Sequence, residues 1–314
     1  MAKKNLSRII LGWIVLIIIT ALIGRVSIAA PVGGQTAADF LNIGVGARPA
    51  GMGGAYSAVA VGALAAYWNP AGLTSIQSGE ISLSHFAWYQ DVSVEHGSVG
   101  FRLSDRAVMA VSITFLNYGQ ITRYDANGYE QGEIDAYDWS GGASVGLRLS
   151  DNIALGVTGK FISQKLDDIS ASTFAGDAGL KVDLEWASLA VTVNNLGSDM
   201  VFDNVSEKLP TSVRFGVAAW PFDHWLTTSF EAEKRFNGAM VLRNGMEFSW
   251  NHQYFLRAGL NIFPGDDQRS FSSGLVMGAG VRFAQAGFDY AYTPSDTYSG
   301  QDLHRLSVTL GFGY

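Results

Sequence analysis

Cysteine is absent from this sequence of 314 residues. Its absence excludes disulfide bonds, thiol catalysis, cysteine-based metal sites and a lipid-modified N-terminal cysteine. Histidine is scarce, and the five residues lie far apart in the sequence, without the paired spacing of metal or acid–base sites: His85, His96, His224, His252 and His304. We therefore predict no catalytic residue, no metal and no cofactor.

Long apolar runs are also scarce, and Ile9–Ile23 is the one that stands out. As a helix it would span ~22 Å at ~1.5 Å per residue, which is short of the ~30 Å hydrocarbon core of a bilayer. Basic residues precede it and small residues follow, an order typical of a cleaved signal peptide rather than a permanent anchor. We expect cleavage after Ala29, so that residues 1–29 form the signal and the mature chain begins at Ala30.

Basic residues are fewer than acidic residues. Four of the 21 basic residues lie before Ala30, which leaves 17 against 28 acidic residues in the mature chain, a net charge of −11. Nucleic acid is therefore not an expected partner. The chain is nevertheless 48% hydrophobic, with a mean hydropathy of +0.15. Since no second run is long enough for a transmembrane helix, a transmembrane β-barrel is the membrane architecture that remains.

From Gly79 to the C-terminus, apolar residues alternate with small or polar residues in segments of about ten. In the last segment Leu306 and Leu310 share one face, and Ser307 and Thr309 share the other. A soluble β-sandwich would also alternate, but its polar face would carry many charges. A face of glycine, serine, threonine and alanine is typical of a barrel lumen. We therefore predict an all-β fold, a transmembrane antiparallel barrel over residues 79–314.

The alternating segments number fourteen, an even number as a barrel of this kind requires. Their predicted starts are Gly79, Val92, Ala107, Tyr137, Ile153, Thr173, Ala187, Thr211, Trp225, Val241, Tyr254, Ser273, Ala286 and Leu303. Connections after even-numbered segments are short, and most of those after odd-numbered segments are long. This asymmetry predicts short periplasmic turns, long outer loops and both chain ends on the periplasmic side.

Arginines and aromatic residues mark one end of the predicted strands. The sequence Gly100–Asp105 recurs in similar form at Gly146–Asp151, and it places Arg102 and Arg148, with Arg282, at the periplasmic end of even-numbered strands inside the lumen. Aromatic residues cluster at the same level, as an interfacial girdle would: Trp186, Trp220, Trp225, Trp250, Tyr254 and Tyr314. Ordinary packing of aromatic residues within a sheet is the alternative interpretation.

Residues 30–78 have a different texture, rich in glycine and alanine and without strand alternation. A barrel of eight strands is filled by its own side chains, and one of sixteen encloses a channel, so the lumen of fourteen strands either leaks or is plugged. A compact segment with small side chains suits a plug, or hatch, within the lumen. A disordered tail is the alternative, but the segment is too apolar and too poor in charge for it.

The residues of this segment resemble a known family. The stretch Gly46–Pro49, Met52–Ala55 and Tyr67–Leu73 is similar to the N-terminal region of PorV/PorQ-type proteins, a branch of the FadL-like outer-membrane barrels. The resemblance implies a hatch that includes a motif of small and turn-forming residues: Gly53, Gly54, Asn69, Pro70 and Ala71. Phe312 and Tyr314 are similar to the C-terminal signal that the barrel-assembly machinery reads, so that machinery and outer-membrane lipid are implied partners.

The same resemblance implies two functions of different class. One is an export component in a type IX-like secretion system, whose partners are secreted cargo or other secretion-system subunits. The alternative is passive FadL-like transport of hydrophobic compounds across the outer membrane. Fatty-acid transporters have a kinked third strand that opens the wall laterally. The predicted third strand here, Ala107 to Leu116, contains neither glycine nor proline, which disfavours such an opening. An enzyme is disfavoured, because the G-x-S-x-G match at Gly142–Gly146 lies inside a strand and lacks the required strand–turn–helix elbow.

Charges on the lumen face have both signs. A charge-selective pore would favour one sign at its constriction, whereas polar contacts that hold a hatch would use both. Simple hydration of these charges remains an equal alternative. The residues are Arg102, Arg148, Lys160, Lys181, Arg214, Arg243, Arg257, Arg282 and Arg305, with Asp177, Asp183, Glu231, Glu233, Glu247 and Asp289.

Overall fold

The computed structural model describes residues 36–88, 92–222, 225–264, 274–294 and 302–313. The expected signal peptide, its cleavage site and Tyr314 lie outside these residues. No helix within the described ranges is both long enough and apolar enough to span a bilayer.

Fourteen antiparallel strands form a closed barrel, which confirms the predicted all-β antiparallel barrel and its strand number. Each strand pairs with the next along the barrel, and the last closes on the first through Gly79 and Phe312. The barrel strands are β1 (Gly79–Ala87), β2 (Ser93–Arg102), β3 (Ala107–Asn117), β6 (Ala136–Arg148), β7 (Ile153–Leu166), β8 (Ile169–Asp183), β9 (Ala187–Gly197), β12 (Ser212–Ala219), β13 (Leu226–Arg235), β14 (Met240–Trp250), β15 (Tyr254–Ile262), β16 (Leu275–Phe283), β17 (Ala286–Thr293) and β18 (Leu303–Phe312).

Side chains alternate across the barrel wall because successive residues of a strand point to opposite faces. On β18, Leu306 and Leu310 are 54% and 43% exposed, whereas Ser307 between them is 6% exposed. The same alternation holds on the opposite wall, where Met246 and Phe248 are exposed and Glu247 is buried. Apolar residues therefore face outwards and small or polar residues face inwards, as the sequence predicts.

Short and long connections lie at opposite ends of the barrel. Two long connections contain their own two-stranded hairpins, β4 (Ile121–Tyr124) with β5 (Glu130–Ile134), and β10 (Met200–Phe202) with β11 (Val205–Glu207). The connection from β7 to β8 is only Asp167 and Asp168, although it lies at the long-connection end. The sequence places the start of β8 at Thr173 and the structure places it at Ile169, because both strands extend past their apolar outward residues into a polar stretch.

Residues 36–78, here called the N-terminal segment, contain four short helices and no strand. They are 3-10 helices at Asp39–Asn42 and Pro70–Ser75 and α-helices at Ala47–Gly51 and Ala65–Trp68. Glycines with left-handed backbone separate them, such as Gly46 at φ +88° and Gly62 at φ +70°. The segment packs against the inner face of the wall: Pro70–Ser75 contacts β3, β6, β7 and β8, and Ala47–Gly51 contacts β15 to β18.

The described chain starts at the long-connection end of the barrel. The Ala37 amide donates a hydrogen bond to the Lys208 carbonyl at 3.0 Å, within the long connection between β9 and β12. Phe40 and Leu41 are buried nearby among inward-facing residues and Met200. Ala30 and Tyr314 lie outside the described residues, so the position of both chain ends on the periplasmic side stays a prediction.

Candidate functional site: the contact between the N-terminal segment and the barrel wall

Asn69, Pro70 and Ala71 lie where the N-terminal segment meets β8. The Asn69 side chain is fully buried and its Oδ1 accepts a hydrogen bond from the Ala71 amide at 3.1 Å, which caps the helix that Pro70 begins. Its Nδ2 donates to the Ser57 carbonyl at 3.0 Å and to the Leu180 carbonyl of β8 at 3.4 Å. Asn69 therefore ends one helix, begins the next and joins both to the wall.

Inward-facing glycines of the wall make room for this helix. A Cβ on Gly156 would lie 2.2 Å from the Pro70 carbonyl carbon, and one on Gly179 would lie 2.1 Å from Asn69 Oδ1. A Cβ on Gly146 would lie 2.9 Å from the Pro70 carbonyl oxygen. A side chain at any of these positions would push the helix away. The sequence indicates small lumen residues on these strands, but it does not reveal that they contact Asn69 and Pro70.

Gly53 and Gly54 contact the opposite wall at close range. Both have left-handed backbone, with φ of +62° and +76°. A Cβ on Gly53 would lie 2.8 Å from the Leu260 amide nitrogen and 3.0 Å from the Asn244 carbonyl oxygen. Both the backbone conformation and the space therefore require glycine here.

A row of ion pairs joins the segment to the wall formed by β13 to β17, here called the charged wall. Arg48 binds Glu247 of β14 through two hydrogen bonds, Nε to Oε2 at 2.9 Å and Nη2 to Oε1 at 2.8 Å. Arg257 donates to the same carboxylate at 2.6 Å and to Asp289 at 2.8 Å, and Arg282 pairs with Asp289 at 2.7 Å. Cations and carboxylates thus alternate from the segment across β14, β15, β17 and β16.

A second group of charges lies on β12, β13 and β14. Glu231 and Glu233 are fully buried, and Arg243 pairs with them at 3.4 Å and 2.5 Å. Glu231 also accepts a hydrogen bond from the Ser57 amide at 2.9 Å, so it contacts the segment directly. The Arg214 guanidinium lies 5.2 Å from the ring centre of Trp68, a cation–π contact. Burial of these carboxylates is tolerable because each one is paired.

Burial and charge shift the titration of groups in the segment. Burial acts to lower the pKa of Arg48, but Glu247 and then Tyr56 outweigh it, so this pKa is held well above its ordinary value. Burial raises the pKa of Tyr67 to about 12. The Tyr67 hydroxyl lies 2.8 Å from the carbonyl oxygens of both Leu41 and Ile43, which share its single proton. The segment therefore keeps Arg48 charged and Tyr67 neutral over the physiological pH range.

The three arginines singled out from the sequence have different surroundings. Arg148 donates to the Thr74 carbonyl at 2.7 Å and so contacts the segment. Arg282 reaches it indirectly through Asp289, and Arg102 pairs with the exposed Asp105 at 3.5 Å. Sequence reasoning missed Arg48, although a signal was present. Arg48 is the single basic residue between positions 30 and 78, and a lone cation in an apolar segment needs a partner.

The C-terminal strand places Phe312 at the seam of the barrel. Its ring packs edge-on against Phe101 with 5.7 Å between centroids, and a Cβ on Gly79 would lie 2.2 Å from it.

Among the described residues, no group of three or more histidine, aspartate or glutamate side chains is arranged to hold a metal ion. The close contact between segment and wall is therefore the feature of the interior with the most specific geometry.

Comparison with known structures identifies the fold. A Pseudomonas aeruginosa FadL homologue is 13% identical with a TM-score of 0.57, covering 90% of this chain and all of that chain. The Pseudomonas putida toluene transporter TodX is 13% identical with a TM-score of 0.61, covering 85% of this chain and 96% of that one. The CymD monoaromatic hydrocarbon channel is 12% identical with a TM-score of 0.60, covering 87% and 98%. At such identities the likeness shows a FadL-like barrel and nothing of the cargo.

Sequence comparison identifies the family. No curated protein matches the chain. The family model described as type IX secretion system protein PorV matches residues 32–235, which include the N-terminal segment and the strands from β1 to β13. That range is more than half of the 314 residues, and it includes both Asn69 and the glycines that it contacts. The chain belongs to the PorV family of FadL-like outer-membrane barrels.

Proposed function

We propose that this protein is an outer-membrane component of protein export in a type IX-like secretion system, and that its N-terminal segment is a hatch that seals the barrel. The observation that carries the export function is the family match over residues 32–235. The contacts of Asn69, Gly53 and Arg48 on different walls support the hatch. A component that hands on folded proteins must not leave an open pore, since a hole of this size would pass small solutes.

Outward-facing residues support the placement in a membrane. At the short-connection end, Trp225 packs on Phe248 with 5.6 Å between centroids, and Trp250 on Tyr254 at 5.6 Å. Near the other end, Trp139, Phe161 and Phe174 pack side by side. From Phe161 to Ile153, β7 covers ~26 Å at ~3.3 Å per residue, which at a strand tilt of ~40° spans ~20 Å along the barrel axis, most of the ~25 Å apolar band of such barrels.

The expected partners follow from this placement. The barrel contacts outer-membrane lipid, and its last strand with Phe312 is presented to the barrel-assembly machinery. Secreted cargo or other secretion-system subunits meet the outer end, where the hairpins of β4 with β5 and of β10 with β11 lie. Nucleic acid is not among the partners.

The test is affinity isolation of the protein from detergent-solubilised membranes, together with the secreted fraction of a deletion strain. We expect secreted proteins or secretion subunits to co-purify, and proteins that normally reach the surface to accumulate in the periplasm of the deletion strain. Normal secretion in that strain, with only hydrophobic compounds bound to the purified barrel, would contradict export and favour the uptake alternative.

A further inference from the structure

The outward face of β1, β2, β3, β6, β7 and β8 contains a broad apolar depression of about 1000 Å³, here called the outer groove. Its upper row crosses these six strands in register through Leu83, Gly97, Ile113, Gly141, Phe161 and Phe174. Large and small residues alternate in this row as far as Phe161, and Phe174 is a second large residue at its end. The groove therefore follows from residue size at outward positions, in a wall that is otherwise covered by large apolar side chains.

A Cβ on Gly141 would lie 3.3 Å from the Trp139 ring, but the barrel's own packing does not explain Gly159 and Gly97, two other small residues of the outer groove. A Cβ on Gly159 would meet no atom within 4 Å, and one on Gly97 would lie an ordinary 3.4 Å from Leu83. Glycine inside a strand costs stability relative to alanine, and it often marks a place where something else approaches closely. On the opposite wall, the exposed outward residues Ala258 of β15 and Ala279 of β16 are paired with Met277 and Leu256.

The outer end of the groove has the chemistry of a lipid headgroup region. Trp139, Phe161 and Phe174 form a ladder with 5.3 Å and 5.2 Å between neighbouring centroids, at the level where interfacial aromatic residues lie. Beyond the ladder, β7 turns Lys165 outwards, with its ammonium 5.7 Å from the centre of the Tyr137 ring. Lys165 also pairs with Asp135 at 3.2 Å and is attracted by Asp168, but the Asp135 side chain is 77% exposed, so the pair is weak and exchangeable.

Three serine residues lie on the same outward face of β7 and β8 as Lys165. Ser163 and Ser172 are register partners on β7 and β8, and Ser170 is the partner of Lys165. Alternation along these strands turns all three to the outward face, since the intervening Gln164 and Ala171 face the interior. Hydroxyl donors and an ammonium above an apolar groove match a phosphate above acyl chains.

We propose that the outer groove binds the acyl chains of an anionic, phosphate-bearing lipid of the outer leaflet, with its phosphate at Lys165 and the neighbouring serines. The groove is an open depression, and its volume of about 1000 Å³ leaves room for a lipid with more than one chain. The bilayer borders this face, so the occupant comes from it directly. The inference rests on the membrane placement proposed above, and it adds a specific lipid partner.

Filling the groove tests the proposal. Gly159→Leu places a leucine side chain inside the groove, and Ala279→Leu places the same side chain on the outward face of the other wall. Native mass spectrometry of the purified full-length barrel in detergent micelles measures binding of added dipalmitoyl phosphatidylglycerol. We expect the parent and Ala279→Leu to bind it equally, and Gly159→Leu to bind at least tenfold more weakly.

Lys165→Gln tests the headgroup contact. The parent is expected to prefer dipalmitoyl phosphatidylglycerol over uncharged dipalmitoylglycerol, and Lys165→Gln to bind both alike. Unchanged binding by Gly159→Leu, equal loss in Ala279→Leu, or capture of a protein rather than a lipid by the groove would each overturn the proposal. Heat-dependent gel mobility of all variants tests the barrel and its membrane placement separately, since a failure there would also remove the proposed function.

Discussion

Two walls of the barrel hold the same segment by different physical means. Along β6, β7 and β8, glycines such as Gly156 and Gly179 let the helix Pro70–Ser75 approach the wall backbone. Along β13 to β17, Glu231, Glu247 and Asp289 hold the other side through hydrogen bonds and ion pairs. The first wall, here called the glycine wall, depends on the absence of side chains, and the second, the charged wall, depends on their presence.

This difference predicts different tolerance to change. Each carboxylate of the charged wall has more than one partner, since Glu247 binds Arg48 and Arg257 and Asp289 binds Arg257 and Arg282. Loss of one arginine leaves the carboxylate paired. The glycine wall has no such redundancy, because an added side chain at Gly156 would meet backbone atoms that cannot rotate away.

The largest effect is expected from Gly156→Leu. Overpacking by a few methylenes already costs ~1–3 kcal/mol, and here the added atoms would overlap the Pro70 backbone, so we expect the segment to leave the lumen. The measurement is maleimide labelling of an Ala66→Cys reporter, which is 2% exposed in the parent and is the sole thiol of the chain. Gly159→Leu on the outward face of the same strand is the control. Equal labelling of both variants would show that the glycine wall does not hold the segment.

A smaller effect is expected from Glu247→Gln, which removes the charge shared by Arg48 and Arg257. Truncation of a buried ion pair costs ~3–5 kcal/mol, and we expect the lower end because Arg257 keeps Asp289. Arg48→Gln should cost less, since Glu247 keeps Arg257. The urea concentration at which the Ala66→Cys reporter becomes labelled measures the loss of stability in each of these two variants. A larger shift for Arg48→Gln than for Glu247→Gln would contradict the shared-carboxylate account.

Asn69→Ala should have a still smaller effect, although Asn69 lies on the glycine wall. It removes a helix cap and two hydrogen bonds to carbonyls, at ~1–2 kcal/mol for the cap. The segment should stay in place and label only at higher urea concentration than Gly156→Leu requires. Release without urea would mean that Asn69, rather than the close fit of Pro70 to Gly156, holds the helix.

The smallest effect concerns alkaline pH. The pKa of Tyr67 is raised from about 10 to about 12 by burial, so Tyr67 stabilises the packed segment fully below pH 10 and loses this contribution as the pH rises towards 12. Release of the segment, followed by the near-ultraviolet circular dichroism of its buried aromatic residues, should require less urea over that interval in the parent. In Tyr67→Phe the urea requirement should change less over the same interval, and a parallel change in both proteins would assign the transition to another group.

Particular residues show what the sequence could predict. Faces and strand number follow from local alternation, so Leu310 and Ser307 were placed correctly from their neighbours alone. The contacts of the N-terminal segment are not local: Arg48 pairs with a residue 199 positions later, and Asn69 with a carbonyl 111 positions later. Glycine and alanine patterns indicate that the segment is compact, but they do not encode which strands it meets.

Two features at the long-connection end were not predicted. The start of β8 was placed at Thr173 because residues 169–172 lack the apolar outward positions that mark the other strands. The position of Ala37 was not foreseen, because its hydrogen bond to Lys208 depends on a loop whose path the sequence does not specify. Both features concern parts of the chain beyond the apolar band, where alternation carries no information.

The most direct test of the account is single-channel conductance in planar bilayers, comparing the parent with a deletion of residues 36–77. The account predicts that the parent stays closed and that the deletion variant, assembled as a heat-modifiable barrel, forms a steady open pore. A deletion variant that assembles equally well but conducts no more than the parent would contradict the claim that the N-terminal segment seals the barrel.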